Sequence, residues 1–204
     1  MANKNYVGAH DTRRMLADLG TRGGSQTIHA EVVAVKTVNA NGVATGGGYT
    51  SAVALTRTND TNAYGAGDVI GAATGATAAL TFANIAPSGG GHILITSASL
   101  LIESSGVISG ETSYTLHLYS ATPPSASGDN AAWDLPSGDR ATYLGSISLG
   151  TPADVGSTLY VRTDQINAHY VAAGSSLYGY LVTVGAYTPT AQRVYNVTLR
   201  AIGI

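Results

Sequence analysis

From about Tyr49 to Ile204 the chain is a succession of short apolar segments that alternate residue by residue and are cut by turn-forming residues. A period of two sends one face of a segment inward and the other outward, which is the pattern of half-buried β-strands and not of helices. The segments fall at residues 51–57, 68–72, 79–85 and 91–103, then 112–120, 141–149 and 157–163, and finally 166–172, 175–184 and 192–202. Between them stand Ala86-Pro87-Ser88-Gly89-Gly90, Ser109-Gly110, Thr122-Pro123-Pro124, Pro136-Ser137-Gly138, Thr151-Pro152, Ala173-Gly174 and Thr188-Pro189. Proline presets the backbone for a turn and glycine accepts left-handed geometry, so these runs end strands. Roughly eight to ten strands with no helical pattern between them predict an all-β domain, an antiparallel β-sandwich with jelly-roll-like connections.

The alternation assigns faces. Tyr114, Leu116 and Leu118 share one side of their segment, opposite Thr115, His117 and Tyr119. In the last segment Tyr195, Val197, Leu199 and Ala201 lie opposite Asn196, Thr198 and Arg200. Residues 91–103 break the rule, because Ile93, Leu94, Ile95, Leu100, Leu101 and Ile102 are apolar on both faces. A strand of that kind is expected at the centre of a sheet or beneath another layer.

Residues 1–48 read differently, as an extended arm joined to a sandwich domain of residues 49–204. Asp11 is placed to cap a short helix through Arg13, Arg14, Met15, Leu16, Ala17 and Leu19, with Gly20 to end it. Two turns of helix are marginal alone and need a surface to lie on. Residues 26–38, with Ile28, Val32, Val33 and Val35, read as a strand, and residues 39–48 have the Gly-rich, small polar composition of a flexible linker. Met15, Leu16, Leu19, Ile28, Val33 and Val35 are therefore the candidate partner-binding residues of the arm. The alternative is that the strand simply joins the main sheet.

Composition narrows the function classes. Only 11% of residues are charged and the formal net charge is −2, so no basic stripe exists from which a phosphate-binding face could be assembled. Nucleic acid and anionic membrane surfaces are poor partners for such a chain. The start, Met1-Ala2-Asn3-Lys4-Asn5-Tyr6, is polar and lacks the apolar core of a signal peptide, and no stretch approaches a membrane span, so synthesis in a cytoplasm is expected. The absence of cysteine removes disulfides, thiolate metal sites and cysteine nucleophiles together.

No motif for catalysis stands out. The histidines at 10, 29, 92, 117 and 169 show no metal-ligand spacing to a carboxylate or to one another, and His92 and His117 fall inside strands as surface or hydrogen-bonded sheet residues. Glu103 and Glu111 flank a loop and could form a glycosidase-type pair only if the fold brought them together; solvated loop ends are the ordinary reading. Asp129, Asp134 and Asp139 around Trp133 match no calcium loop, and the Gly-rich runs lack the lysine and following helix of a phosphate cradle. No catalytic residue, metal ligand or cofactor-binding residue is expected, and no cofactor. Twelve tyrosines against one phenylalanine, Phe82, suit core and interface positions, since a phenol has an apolar body and a polar tip. A sugar-stacking platform is the rival use, though Trp133 is the only tryptophan.

Several segments resemble those of virion proteins from tailed bacteriophages. They are the run from Ala54 through Asn59-Asp60-Thr61-Asn62-Ala63-Tyr64-Gly65-Ala66-Gly67-Asp68 to Gly71, then Leu80-Thr81-Phe82-Ala83-Asn84, then Leu116-His117-Leu118-Tyr119 with Pro123-Pro124. Asp129-Asn130-Ala131-Ala132-Trp133 and Asp139-Arg140-Ala141-Thr142-Tyr143-Leu144-Gly145 complete the set. The resemblance implies a head-associated structural protein, a non-enzymatic capsid decoration protein on the virion exterior. It also implies a β-sandwich fold; the expectation built on it is a homo-oligomer, a trimer, that binds across subunits of the major capsid protein. A receptor-binding module of a head or tail fibre, a tail or neck subunit, and a depolymerase are the alternatives.

Overall fold

Ten strands, all antiparallel, account for the regular structure of the computed structural model, which describes residues 48–72, 78–125 and 127–204. They are β1 (Gly48–Thr56), β2 (Val69–Ile70), β3 (Leu80–Phe82), β4 (Gly91–Glu103), β5 (Tyr114–Tyr119), β6 (Tyr143–Gly150), β7 (Ala153–Asp154), β8 (Thr158–Ala172), β9 (Leu177–Thr183) and β10 (Val194–Gly203). No helix occurs among the described residues. The arm, including the expected helix, the 26–38 strand and the candidate residues Met15, Leu16, Leu19, Ile28, Val33 and Val35, lies outside them.

The strands form two sheets. The first has the order β1-β10-β4-β8-β7; the second has the order β2-β9-β5-β6, with β3 also pairing β9. Ile70 opposes Leu181 and Leu80 opposes Gly179, so β2 and β3 are two parts of one edge strand interrupted by an excursion. One core lies between the sheets. Leu55, Ile93, Ile95, Leu100, Ile102, Leu159, Val197 and Leu199 from the first sheet meet Phe82, Leu116, Leu118, Ile147, Leu177 and Leu181 from the second. The faces expected from alternation hold in β5 and β10: Tyr114, Leu116, Leu118, Tyr195, Val197 and Leu199 are fully buried and Ala201 nearly so. Full burial of each aliphatic side chain contributes on the order of 1.5–3 kcal/mol of transfer free energy.

β4 does lie centrally, between β10 and β8. Its apolarity on both faces has a further cause. Arg200 pairs Ser97 and Ala201 pairs Ile95, so Thr96 is an extra residue on β4, and Thr96 Oγ1 donates to the Arg200 carbonyl at 3.2 Å. A one-residue bulge reverses the phase of a strand. On one side of it Ala98, Leu100 and Ile102 face the core; on the other side Ile93 and Ile95 do. β8 changes phase at the same level: residues expected as two strands form one, interrupted at Gln165 (φ 57°) and Asn167 (φ 49°).

Candidate functional site

The buried polar groups gather in two clusters where loops close one end of the sandwich. In the first, Arg57 follows β1 and is almost fully buried. Its Nε donates to Tyr64 Oη at 2.8 Å, and its Nη2 lies 2.7 Å from Asp60 Oδ1 and 3.5 Å from Asp129 Oδ2. Asp129 also accepts from Tyr64 Oη at 2.5 Å, from the Gly71 amide at 2.8 Å and from Thr58 Oγ1 at 3.1 Å. Hydrogen bonds from the Thr58 hydroxyl, the Asn62 amide and Arg57 hold the Asp60 carboxyl down at about 2.

In the second cluster, Arg193 Nη2 donates to Glu111 Oε2 at 3.0 Å, both side chains being fully buried. Tyr114 Oη donates to the other oxygen of Glu111 and lies 3.2 Å from Tyr187 Oη, which in turn contacts Tyr195 Oη at 2.9 Å. The Arg193 guanidinium sits over the Tyr187 and Tyr195 rings, at 6.0 and 5.7 Å. Tyr64 and Tyr187, 5.4 Å apart, link the two clusters. Burial pushes the phenols of Tyr64, Tyr114 and Tyr187 well above their ordinary range and raises that of Tyr195, so they remain protonated donors.

These clusters staple loops. Every carboxylate in them is engaged by buried donors, and neither cluster presents a free base to solvent. Glu111 is buried against Arg193 while Glu103 stands exposed at the end of β4, so the two play different parts and no paired-carboxylate arrangement is formed. The three aspartates around Trp133 also separate in role: Asp129 joins the Arg57 cluster, Asp139 accepts from the Ser125 amide, and Asp134 accepts from the Leu135 amide. Among the described residues no group of three or more His, Asp or Glu side chains is placed to hold a metal ion.

The two outer faces of the sandwich differ. On the second sheet, His117, Tyr119, Tyr178, Tyr180, Val182 and Val69 point outward, and the long connection 120–142 folds over them. Trp133 stacks on His117 with ring centroids 3.6 Å apart, and Tyr143 Oη lies 3.0 Å from His117 Nδ1. This burial pushes the His117 imidazole down to about 4. The same connection pairs its backbone with β2: the Asn130 amide donates to the Val69 carbonyl, the Val69 amide to the Ala131 carbonyl and the Trp133 amide to the Gly67 carbonyl, at 2.8–2.9 Å. The face and one edge of this sheet are thus closed by the chain itself.

The first sheet is not closed in this way by any described residue. Leu101, Val171 and Ile202 remain 39–51% exposed on it, with Ala52 and Ala54 of β1 also exposed. β1 is an edge strand of nine residues with no charged side chain and no proline. The same face brings His92 of β4 and His169 of β8 to 2.9 Å, a contact between residues 77 apart that spacing in the sequence does not reveal.

No protein-family model matches the chain, and no curated protein matches its sequence. Among solved structures, a chain of tomato aspermy virus is 10% identical with a TM-score of 0.29, over 94% of each chain. A chain from the native virion of Kashmir bee virus is 7% identical with a TM-score of 0.29, over 100% of this chain and 81% of that one. The K3 cleaved adhesin domain of Lys-gingipain from Porphyromonas gingivalis is 10% identical with a TM-score of 0.25, over 62% and 63%. At such scores neither fold nor role transfers from them to this chain.

Proposed function

We propose that this chain is a non-enzymatic structural protein of a phage virion, a decoration protein that stabilises the capsid by binding across major capsid protein subunits. The observation that carries the reading is the asymmetry between the sheets: among the described residues, one is closed by its own loop, while the other offers an uncharged edge strand and an apolar-dotted face. An uncharged edge strand and exposed aliphatic side chains suit a protein that is completed by assembly. The buried carboxylates are engaged by arginines and phenols, which supports a structural role over a hydrolytic one. The resemblance to tailed-phage head proteins points the same way.

The order β1-β10-β4-β8 facing β2/β3-β9-β5-β6 supports a jelly-roll reading, in which each half of the chain alternates between sheets. In this proposal the sandwich, residues 49–204, sits on the capsid exterior as a homotrimer. The arm, residues 1–48, reaches a neighbouring subunit through Met15, Leu16, Leu19, Ile28, Val33 and Val35. A strand added across a subunit boundary contributes main-chain hydrogen bonds and apolar burial, and so raises the cost of separating the two subunits.

The test is binding of the purified protein to emptied, expanded heads that lack it, comparing the full chain with a version starting at Tyr49. Saturable binding that collapses without the arm is expected. Absence of binding by both forms, together with binding to host-surface glycans, overturns decoration in favour of a fibre module.

A further inference from the structure

We propose that His92 and His169 form a two-histidine site for a divalent transition-metal ion of the copper or nickel type on the outer face of the first sheet. Leu94 opposes His169, and His92 opposes Val171, so the two histidines are diagonal neighbours on adjacent strands of one face. Both are exposed. His92 Nδ1 and His169 Nε2 face each other at 2.9 Å, with ring centroids 5.1 Å apart and planes within 9° of parallel. Nitrogens so close between rings so far apart mean that the imidazoles meet edge to edge, sharing one proton, instead of stacking.

The bulges described above create this site. Were Thr96 paired in regular alternation instead of bulged, the alternation that buries Ala98, Leu100 and Ile102 would turn His92 toward the core and Ile93 toward solvent. The phase change in β8 does the same for His169. Two strands locked into one sheet then hold both donors at fixed spacing, which removes most of the ordering cost that free side chains would meet.

The spacing selects the ion. With metal–nitrogen bonds of about 2.0–2.1 Å, donors 2.9 Å apart subtend about 90° at the metal. That is the cis angle of square-planar or tetragonal sites, which Cu(II) and Ni(II) prefer; a tetrahedral zinc site needs the nitrogens spread to about 3.3–3.4 Å. Binding moves the shared hydrogen to the far nitrogen of its own ring, a tautomer exchange through solvent water, so that each neutral ring keeps one N–H and both facing lone pairs turn to the ion. Water fills the other positions, since no carboxylate joins the pair.

The test uses the full chain with His10 and His29 changed to Gln, so that histidines outside the described residues contribute nothing. Copper(II) sulfate or nickel(II) chloride is titrated while binding heat and histidine-ring nitrogen resonances are followed. One equivalent is expected to perturb the His92 and His169 rings first, with copper and nickel binding more tightly than zinc and with a rise in melting temperature. Either His92→Gln or His169→Gln, each at an exposed position and checked for an unchanged circular dichroism spectrum, should weaken binding at least tenfold and abolish the melting shift. Equal binding by the parent and both variants, or unperturbed rings at millimolar ion, overturns the site and leaves a cross-strand hydrogen bond only.

Discussion

The two sheets solve the same problem in opposite ways. Each has an inner face in the common core, and each must do something with its outer face. The second sheet carries aromatic residues outward, Tyr119, Tyr178, Tyr180 and His117, and covers them with Trp133 and Leu135 from the 120–142 connection. The first carries small residues and scattered aliphatics together with His92, His169, Arg200 and the Arg162–Asp164 ion pair, and no described segment lies across it. Large aromatic side chains are costly to leave in water, so the sheet that bears them recruits its own cover, whereas a face of small and polar residues carries little such cost.

The largest effect should come from the staples that fix the closed end. Glu111→Ala leaves the buried Arg193 guanidinium without its carboxylate, and a loss of about 3–5 kcal/mol is expected in urea unfolding. A loss within experimental error would mean that the ion pair is dispensable and that the closed end is held by packing alone.

Next is the cover itself. Trp133→Ala should cost about 2–3 kcal/mol, toward the low end for a buried tryptophan because part of the side chain remains exposed. It should also speed amide hydrogen exchange in residues 127–133 and β2, while leaving β1 and β10 protected. Uniform loss of protection in both sheets would show that the cover is not a separable layer.

The same cover predicts a pH dependence. The His117 imidazole is held at about 4 against an ordinary 6.5, so the folded form resists a proton that the unfolded chain accepts. Its stabilising contribution is complete above 6.5, falls as pH drops through that window, and is exhausted below about 4. The difference in stability between wild type and His117→Gln, measured across this range, should shrink as the pH falls; a constant difference would place the ring in solvent.

The smallest effect on stability is expected on the open sheet. Leu101→Ser, Val171→Thr and Ile202→Thr should each lower unfolding free energy by about 1 kcal/mol or less, because about half of each side chain is already in solvent. If that sheet is the docking face, the triple variant nevertheless loses binding to emptied heads. Normal binding by the triple variant would move the interface to the loops or the arm.

Strand positions were legible because alternation is written within a few consecutive residues: the segments expected at 91–103, 112–120 and 192–202 match β4, β5 and β10 closely. β7, two exposed residues with no apolar pattern, was not legible, and one strand was read as two because the β8 bulge interrupts its period. Likewise, the both-faced apolarity of residues 91–103 reflects a central strand whose inward face changes side at Thr96. The separate fates of Glu103 and Glu111, and the meeting of His92 with His169, depend on partners far along the chain.

Hydrophobic period and turn chemistry determined by themselves that the described residues form antiparallel β-strands, and which side chains of β5 and β10 enter the core. These are local properties, because burial of a strand face needs only every second residue to be apolar. The tertiary structure alone decided that Glu111 meets Arg193, that His92 meets His169, and that the 120–142 connection covers one sheet and not the other. Those outcomes follow from pairing register and loop path, where contacts 77 and 82 residues apart are set by a single bulge or turn that leaves almost no mark in composition.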